Sequence, residues 1–442
     1  MLFSAAPGQD HDAPDAHPGR PKPMIESAKG TRDILPAEIP RWHLVEARAR
    51  EMFARFGFRE IRTPIFEPTD LFARGIGEAT DIVAKEMYTF PDRKGRSLTL
   101  RPENTAPVAR AYIQHQMHRG SEIERLYYIG PMFRYERPQK GRMRQFHQIG
   151  AEALGSEHPA VDAETLHMLM LFLEGLGIQP LELLLNSVGC QDCRPRYREV
   201  LLRELLPQRD RLCTDCQRRI EINPMRCFDC KVEADQAILS KVTPILDHLC
   251  AACRDHLASV RSHLATLGVA HRLEPRLVRG LDYYRRTTFE VALSALGAQS
   301  ALLGGGRYDG LVESLNGPPT PGFGFAIGED RLVMCLPESA GELESRLDLF
   351  VVPLGTEALA PALVAAGRLR AAGRQVVLEP LPEKSLKAHL RRANDLRARL
   401  VLILGPDEVA RGMLTVKRMS DGMQRTVQGD DIVAAVAEMT HA

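Results

Sequence analysis

FRYERPQKGRMRQFHQIGAE, residues 133–152, is the stretch whose reading decides the fold. Five cations, Arg134, Arg137, Lys140, Arg142 and Arg144, surround a Pro-Gln-Lys-Gly tip, and Glu136 alone opposes them. On either side the residues alternate, so ERLYYIGPMFRYE and MRQFHQIGAEALG read as the two antiparallel strands of a hairpin. A period of two puts Arg134 with Glu136 on one face and Gln148 with Glu152 on one face of the return strand. Such groups stay on a packed sheet only with partners, so the face is either solvated or the floor of a ligand site. Three other segments favour the second. RPENTA places Glu103 at a strand end, VRGLDYY places Arg279 beside Tyr283 and Tyr284, and GEDRL places Arg331 beyond a glycine turn at a helix start. Arginine grips phosphate bidentately, and an inward carboxylate holds an ammonium or an imidazole N–H. Together these parts describe a site for a nucleotide and an amino acid.

Working outward, 442 residues of ordinary composition, 44% hydrophobic and 26% charged, suggest a globular protein of two or three domains. No run of eighteen apolar residues suggests a membrane span. Residues 1–23 hold acidic residues and prolines where a signal peptide needs a basic start and an apolar stretch. They read as a disordered tail, with Met24 an alternative start. Nine cysteines without an export signal fit a reducing cytoplasm and argue for metal ligands or inert thiols over disulfides. The net charge of +1 hides two basic patches, at 134–147 and 384–399. Local patches of this kind suit polyanions bound at defined places.

Helical spacing runs through PRWHLVEARAREMFARFGF, and FREIRTPIFEP reads as a strand. RSLTLRPE is a strand leading into the helix TAPVARAYIQHQM. A helix over 160–176 and the strand LELLLNSVG precede a mostly helical insertion at 190–267. HRLEPRLVRGLDYYRRTTFEVAL returns to strands, GGGRYDGL follows, and GFGFAIGEDRLVMCL reads as a glycine-rich turn into a helix. Beyond a linker at 338–345, strand and helix alternate over 346–442, as in a small α/β domain with a parallel sheet.

Several of these segments resemble the histidyl-tRNA synthetases, a family of class II aminoacyl-tRNA synthetases, and the likeness runs from KGTRDILP (29–36) to the C-terminus. RTPIFEP, FRYERPQKGRMRQFHQ and GFGFAIGEDRL resemble the three class motifs, and LVRGLDYY and GGGRYDGL the two histidine-specific segments. One glycine-rich match would be weak; five motifs in the family's order are not. The resemblance implies an α+β fold with a six-stranded antiparallel sheet flanked by helices, and a catalytic domain in two parts, 24–189 and 268–337, interrupted by the insertion. It also implies a C-terminal anticodon-binding domain at 346–442 and a homodimer formed through the first-motif helix and strand.

Its implied chemistry is activation of L-histidine by ATP, with Mg²⁺, to histidyl-adenylate, then transfer to histidine tRNA. By the family pattern Arg134 meets the α-phosphate, Arg279 the α-phosphate or the substrate carboxylate, Arg331 and Arg142 the γ-phosphate side, and Glu136 the adenine. Glu103 and Thr105 would hold the α-ammonium, Gln148 the amino-acid backbone, and Glu152 and Tyr284 the imidazole, with Tyr283 lining the pocket. Arg137, Gln139 and Lys140 would reach the tRNA acceptor end. In the last domain Lys384, Lys387 and Arg391, spaced as one helical face, would meet the anticodon arm, although a charge run is ordinarily a solvated face. The alternative is a noncatalytic paralogue, the regulatory subunit of ATP phosphoribosyltransferase. Such chains lack the last domain and erode residues such as Arg134, Arg279, Arg331 and Glu103, which all stand here.

Four Cys-x₂-Cys pairs, Cys190/Cys193, Cys213/Cys216, Cys227/Cys230 and Cys250/Cys253, are candidate ligands for one or two structural Zn²⁺ ions that leave the reaction untouched. Nineteen residues separate the first pair from the second and the third from the fourth, a zinc-ribbon spacing. Pairing stays open, as does the alternative that the thiols pack as small hydrophobes. The insertion, with few large apolar residues, is expected to have a thin core of its own.

Overall fold

The computed structural model describes residues 24–77, 80, 82–120, 122–139, 141–293, 301–338, 340 and 347–441. The expected tail, most of the expected linker and Lys140 lie outside them. The chain divides into two units, one of residues up to Leu35 with Val45–Leu336, the other of Pro36–Leu44 with the residues from Pro337 onward.

In the first unit the hairpin strands Glu124–Phe133 and Gln145–Leu154 pair antiparallel, with Glu124 opposite Leu154 and Phe133 opposite Gln145. They continue through Gly322–Gly328, Ala301–Arg307, Arg285–Leu293 and Leu181–Ser187, giving the expected six antiparallel strands. A two-residue strand is added parallel at each edge, Arg59–Glu60 and Arg272–Leu273. FREIRTPIFEP therefore splits: Arg59–Glu60 joins this sheet, and Phe66–Pro68 joins a separate three-stranded sheet with Ser97–Leu100 and Tyr88–Pro91.

The glycine-rich turn expected in GFGFAIGEDRLVMCL differs: Gly322 to Gly328 are strand, as are Gly304 to Gly306 of GGGRYDGL. A missing Cβ is used there for close approach: one on Gly324 would sit 1.8 Å from Glu152 Oε2, and one on Gly304 2.4 Å from Arg279 Nη1. The chain turns instead at Gly310, with φ 99°, and at Gly141, with φ 74°.

Helix Ile39–Arg55 buries Val45, Ala49 and Phe53 at helical spacing, and the Phe53 ring stacks on Tyr127 at 4.6 Å. Its apolar stripe is thus used within the chain. The insertion is helical as expected, with helices Cys193–Leu205, Thr214–Ile222, Glu233–Leu239 and Ala251–Thr266. Its core is not separate: Tyr197, Leu201, Leu205 and Ile220 join Tyr128 of the sheet, Val108 of helix Thr105–Gln114 and Tyr308, just past strand Ala301–Arg307, in one cluster.

A buried ionic group ties these layers together. Arg307, on a central strand, pairs with Asp162 on helix Pro159–Gly175 through two nitrogens, and both side chains are fully buried. His256, from the insertion helix Ala251–Thr266, meets the same carboxylate at 2.9 Å.

The second unit carries a five-stranded sheet in which Val376–Leu378, Leu349–Pro353 and Leu400–Leu404 run parallel, followed by antiparallel Met413–Arg418 and Gln424–Gln428. Alternate residues of one strand feed opposite faces. Leu349 and Val351 pack with helices Leu359–Ala371 and Ile432–His441, while Phe350 and Val352 pack with helix Leu386–Asp395. Among the described residues no helix is long and apolar enough to cross a membrane.

Candidate active site

A cavity of about 480 Å³ opens on the central sheet of the first unit. The sheet supplies Gln148, Glu290 and Gly304, the strand-to-helix step supplies Glu103 and Thr105, and the segment before strand Arg285–Leu293 supplies Arg279, Tyr283 and Tyr284. Arg134, Glu136 and Arg142 come from the hairpin end and Arg331 from the short helix Glu329–Cys335. Of the expected nucleotide and amino-acid contacts, all but Glu152 line this one space.

Glu103 accepts the backbone N–H groups of Thr105 (2.7 Å) and Ala106 (3.0 Å) at the start of helix Thr105–Gln114. Burial pushes its carboxyl up, against those two bonds. Glu152 sits beneath the lining, 1% exposed. Its oxygens accept the hydroxyls of Thr105 and Tyr308, each at 2.7 Å. Burial raises it to about 8 despite these hydrogen bonds. Gln148 Oε1 is buried and has no hydrogen-bond partner, an acceptor for which a ligand N–H is the natural complement. The Tyr283 and Tyr284 rings lie 4.7 Å apart, and burial pushes the Tyr284 phenol up to about 12, so both phenols stay neutral.

Arg279 lies across Gly304 and is braced by Glu290 at 2.9 Å. Arg134 donates to Pro102 O at 2.8 Å and sits over the Phe146 ring, 5.4 Å from its centroid. Strand Glu124–Phe133 ends one residue before Arg134, so Arg134 and Glu136 meet at 3.9 Å beyond the strand, and Arg142 reaches Glu136 at 3.7 Å. Burial lowers the pKa of Arg331, as does the charge of Arg142; two guanidiniums so placed are relieved by an anion. Gly304→Ala is expected to displace the Arg279 guanidinium and cost about 10-fold or more in substrate activation with the fold intact, read as turnover against unchanged circular dichroism.

At the tip, Gln139 and Arg142 exchange backbone hydrogen bonds of 3.0 and 2.8 Å, closing the turn between the strands; Arg137 is exposed beside it. Arg144 has another task, lying over the Tyr135 ring at 3.9 Å. In the second unit, helix Leu386–Asp395 starts one residue after Ser385, whose hydroxyl accepts the Ala388 N–H. Lys384 therefore precedes the helix, correcting the expectation of one helical face; Lys387 and Arg391, four apart, share it, and all three are exposed.

The cysteines fall into two groups, Cys190, Cys193, Cys250 and Cys253, and Cys213, Cys216, Cys230 and Asp235. The first pair thus meets the fourth and encloses the other group. Cys227 is left out, against expectation; its thiol donates to Cys216 O at 3.6 Å.

Comparison with known proteins fits this geometry. The family model described as Histidyl-tRNA synthetase matches residues 30–332, and an Anticodon binding domain model matches 348–439. The chain belongs to the histidyl-tRNA synthetase family. It is 52% identical over 412 residues to a histidine–tRNA ligase of Solibacter usitatus, covering 93% of this chain and 98% of that one. Likeness to a second such ligase, from Pelobacter propionicus, is 52% over 415 residues, 93% of this chain and all of that one. The crystal structure of apo S. aureus histidyl-tRNA synthetase superposes with a TM-score of 0.78 at 38% identity, over 93% of this chain and 100% of that one. A structure described as an ATP phosphoribosyltransferase regulatory subunit/histidyl-tRNA synthetase, from Bacillus halodurans C, shares the fold at 22% identity with a TM-score of 0.60, over 84% of this chain and 96% of that one.

Four residues of this site were not among those expected from sequence. Glu290 braces Arg279, Phe146 lies under Arg134, Tyr308 holds Glu152, and Arg226 reaches in from the insertion to donate to Arg279 O at 2.6 Å. Tyr308 could have been found, since it follows the glycine run and an interior tyrosine needs a hydroxyl partner. Arg226 carried no signal, being about fifty residues from the segment it touches.

Proposed function

We infer that this chain is a histidine–tRNA ligase of class II, which activates L-histidine with MgATP to histidyl-adenylate and transfers the histidyl group to the 3′ end of histidine tRNA. The observation that carries the reading is the convergence of Arg134, Arg142, Arg279 and Arg331 on one cavity whose floor offers Glu103, Thr105 and Gln148. In the first step a histidine carboxylate oxygen attacks the α-phosphorus and the bond to the β-phosphate oxygen breaks, releasing diphosphate. Negative charge grows on the phosphoryl oxygens, so guanidiniums fixed beforehand lower the barrier. Arg134 and Arg279 serve the α-phosphate; Arg331 and Arg142 serve the departing diphosphate; Glu136 receives the adenine edge. In the second step a terminal ribose hydroxyl attacks the histidyl carbonyl and AMP leaves.

Glu103, Thr105 and Gln148 hold the amino acid's ammonium end. The buried Glu152 gives the imidazole N–H an acceptor and Tyr284 gives its other nitrogen a donor, through bonds that an aliphatic side chain would leave unmade; such sites reject analogues by roughly 10⁴ or more. Exchange of labelled diphosphate into ATP, dependent on histidine and on no other standard amino acid, is the expected result. Folded protein inactive in that assay with MgATP would overturn the reading.

Homodimerisation belongs to the same reading. With the stripe of helix Ile39–Arg55 used internally, the support comes from the three-stranded sheet. Phe66 and Tyr88 oppose Leu100, and Pro68 and Phe90 oppose Leu98, so all share one face. Phe66 is 53% and Phe90 40% exposed, while Tyr88 packs on Tyr135, leaving a partly exposed apolar face of the kind an isologous contact covers. All nine cysteines are unbridged, which accords with the cytoplasm as the place of work.

Transfer RNA would be met at two places, the hairpin tip with Arg137, Gln139 and Lys140, and the exposed Lys384, Lys387 and Arg391 of the second unit. Neutralising the last three together is expected to lower the slope of log K against log salt by about two to three, because each phosphate left without its cation keeps its condensed counterion. A titration of tRNA binding over a salt series reads it. Diphosphate exchange, which needs no tRNA, stays at the wild-type level.

A further inference from the structure

We propose that the insertion holds two Zn²⁺ ions in nested sites of different composition, Cys190/Cys193/Cys250/Cys253 outside and Cys213/Cys216/Cys230/Asp235 inside, and that together they clamp the segment carrying Arg279 and both tyrosines. In each group the ligand atoms all lie within 4.8 Å of one another. The Cys190 sulfur is 3.7 Å from that of Cys193 and 4.0 Å from that of Cys250, and the Cys213 and Cys230 sulfurs are 3.8 Å apart. A tetrahedron of sulfurs at the usual zinc bond length has edges of about 3.8 Å, whereas a disulfide needs about 2.0 Å. Touching thiols also reach such separations, so spacing alone does not decide.

Two further observations do. Backbone N–H groups aim at the sulfurs: Asp192 at Cys190 (3.4 Å), Cys250 at Cys193 (3.2 Å), Cys216 at Cys213 (3.5 Å) and Val232 at Cys230 (3.5 Å). Donors so placed favour thiolate over thiol. The second observation is Asp235, 1% exposed, whose carboxylate meets the Cys213 N–H (3.1 and 3.2 Å) and the Cys230 sulfur (3.2 Å), with the Cys213 and Cys216 thiols beside it and no ion pair among the described residues. A buried carboxylate without a cation is costly. A divalent ion among three sulfurs supplies the missing charge and uses Asp235 as fourth ligand, in the place that spacing would give to Cys227.

Each site is continuous with a clasp on the catalytic segment. Next to Cys193, Arg194 donates to the carbonyls of Asp282 (3.2 Å) and Tyr284 (3.4 Å). Next to Cys227, within the loop the inner site closes, Arg226 donates to Arg279 O, and Asn223 donates to Asp282 Oδ1 at 3.0 Å. Lys231, which follows Cys230, lines the cavity itself.

The test is elemental analysis of protein purified without a chelating resin. Two zinc equivalents per chain are expected for the wild type and for Cys227→Ser. One is expected for each double variant, Cys190→Ala/Cys253→Ala and Cys213→Ala/Cys230→Ala. Zinc-free wild type from zinc-supplemented cells would overturn both sites, and a Cys227→Ser protein holding one equivalent would overturn the place given to Asp235. Should the double variants not fold, X-ray absorption on the wild type decides: a mean between three and four sulfur neighbours per zinc is expected, and four would overturn the inner ligand set. The clamp rests on the ligase reading and is read separately. The inner-site variant should lose about 10-fold or more in diphosphate exchange, and unchanged exchange in a one-zinc protein would overturn the clamp.

Discussion

Arg279→Ala is expected to lower the kcat of histidine-dependent diphosphate exchange by about 10²–10³-fold, the loss typical of removing one preorganised group from a developing oxyanion. The position of the guanidinium makes the effect large. It spans a strand that has no side chain at Gly304, and it is held there by Glu290 at 2.9 Å and, through its own backbone carbonyl, by Arg226 at 2.6 Å. Deleting it also leaves Glu290 facing the phosphate with its charge uncompensated. The double variant with Glu290→Gln should therefore recover part of the loss, which a misfolded single variant would not do. Lysine is expected to rescue poorly, because a point charge cannot both pair with Glu290 and present a planar fork to phosphate. A loss in kcat larger than any rise in KM marks an interaction made chiefly in the transition state; exchange within tenfold of the wild type would remove Arg279 from the chemistry.

The largest effect on stability is expected at Asp162. Asp162→Asn should cost about 3 kcal/mol, the low end for breaking a buried pair, since the fully buried Arg307 loses its buried countercharge and keeps only the partly exposed Asp309 at 3.1 Å. The measurement is the denaturant midpoint of the transition that includes the first unit. Burial pushes the Asp162 carboxyl up, but the His256 hydrogen bond and the Arg307 charge outweigh it and hold the group below the usual carboxylate range. A lowered folded pKa means that the stabilisation is fully present above the ordinary aspartate value of about 3.9 and is lost as pH falls through the lowered one. The gap between wild type and variant should thus stay constant around neutrality and close in acid. Adding Arg307→Leu should return part of the stability, as apolar replacements of buried pairs commonly do.

Much of the fold was legible because it rests on short-range rules. Alternation across FRYERPQKGRMRQFHQIGAE gives a hairpin whatever surrounds it, and Val45, Ala49 and Phe53 fall on one helix face by spacing alone. The glycine run of GFGFAIGEDRL departs from the expected turn for a physical reason. Glycine signals a turn when its φ is positive, but at Gly304 and Gly324 it marks a close approach within a strand, which depends on what lies opposite. Lys384 was placed on the helix because charge spacing does not report a cap; Ser385 does. Cys227 was counted as a ligand because Cys-x₂-Cys spacing carries no information about which sulfur turns inward, and Asp235, with no motif around it, could not be seen to take its place. Partners such as Glu290 and Arg226 are set by tertiary approach, to which a single chain read in order gives no access.

The glycines in the strands carry one more consequence. Alanine scanning ordinarily asks what a side chain contributes, and a methyl group serves as its blank. At Gly150, Gly304 and Gly324 the blank is itself an intrusion, since a Cβ would fall 2.4 Å from the Tyr128 hydroxyl, 2.4 Å from Arg279 Nη1 and 1.8 Å from Glu152 Oε2 respectively. The relief of the chamber at Gly304, and of the sheet beneath it at Gly150 and Gly324, is cast partly in vacant space, so a survey by truncation would pass over positions where that shape is tightly held. Those positions show themselves only when something is added.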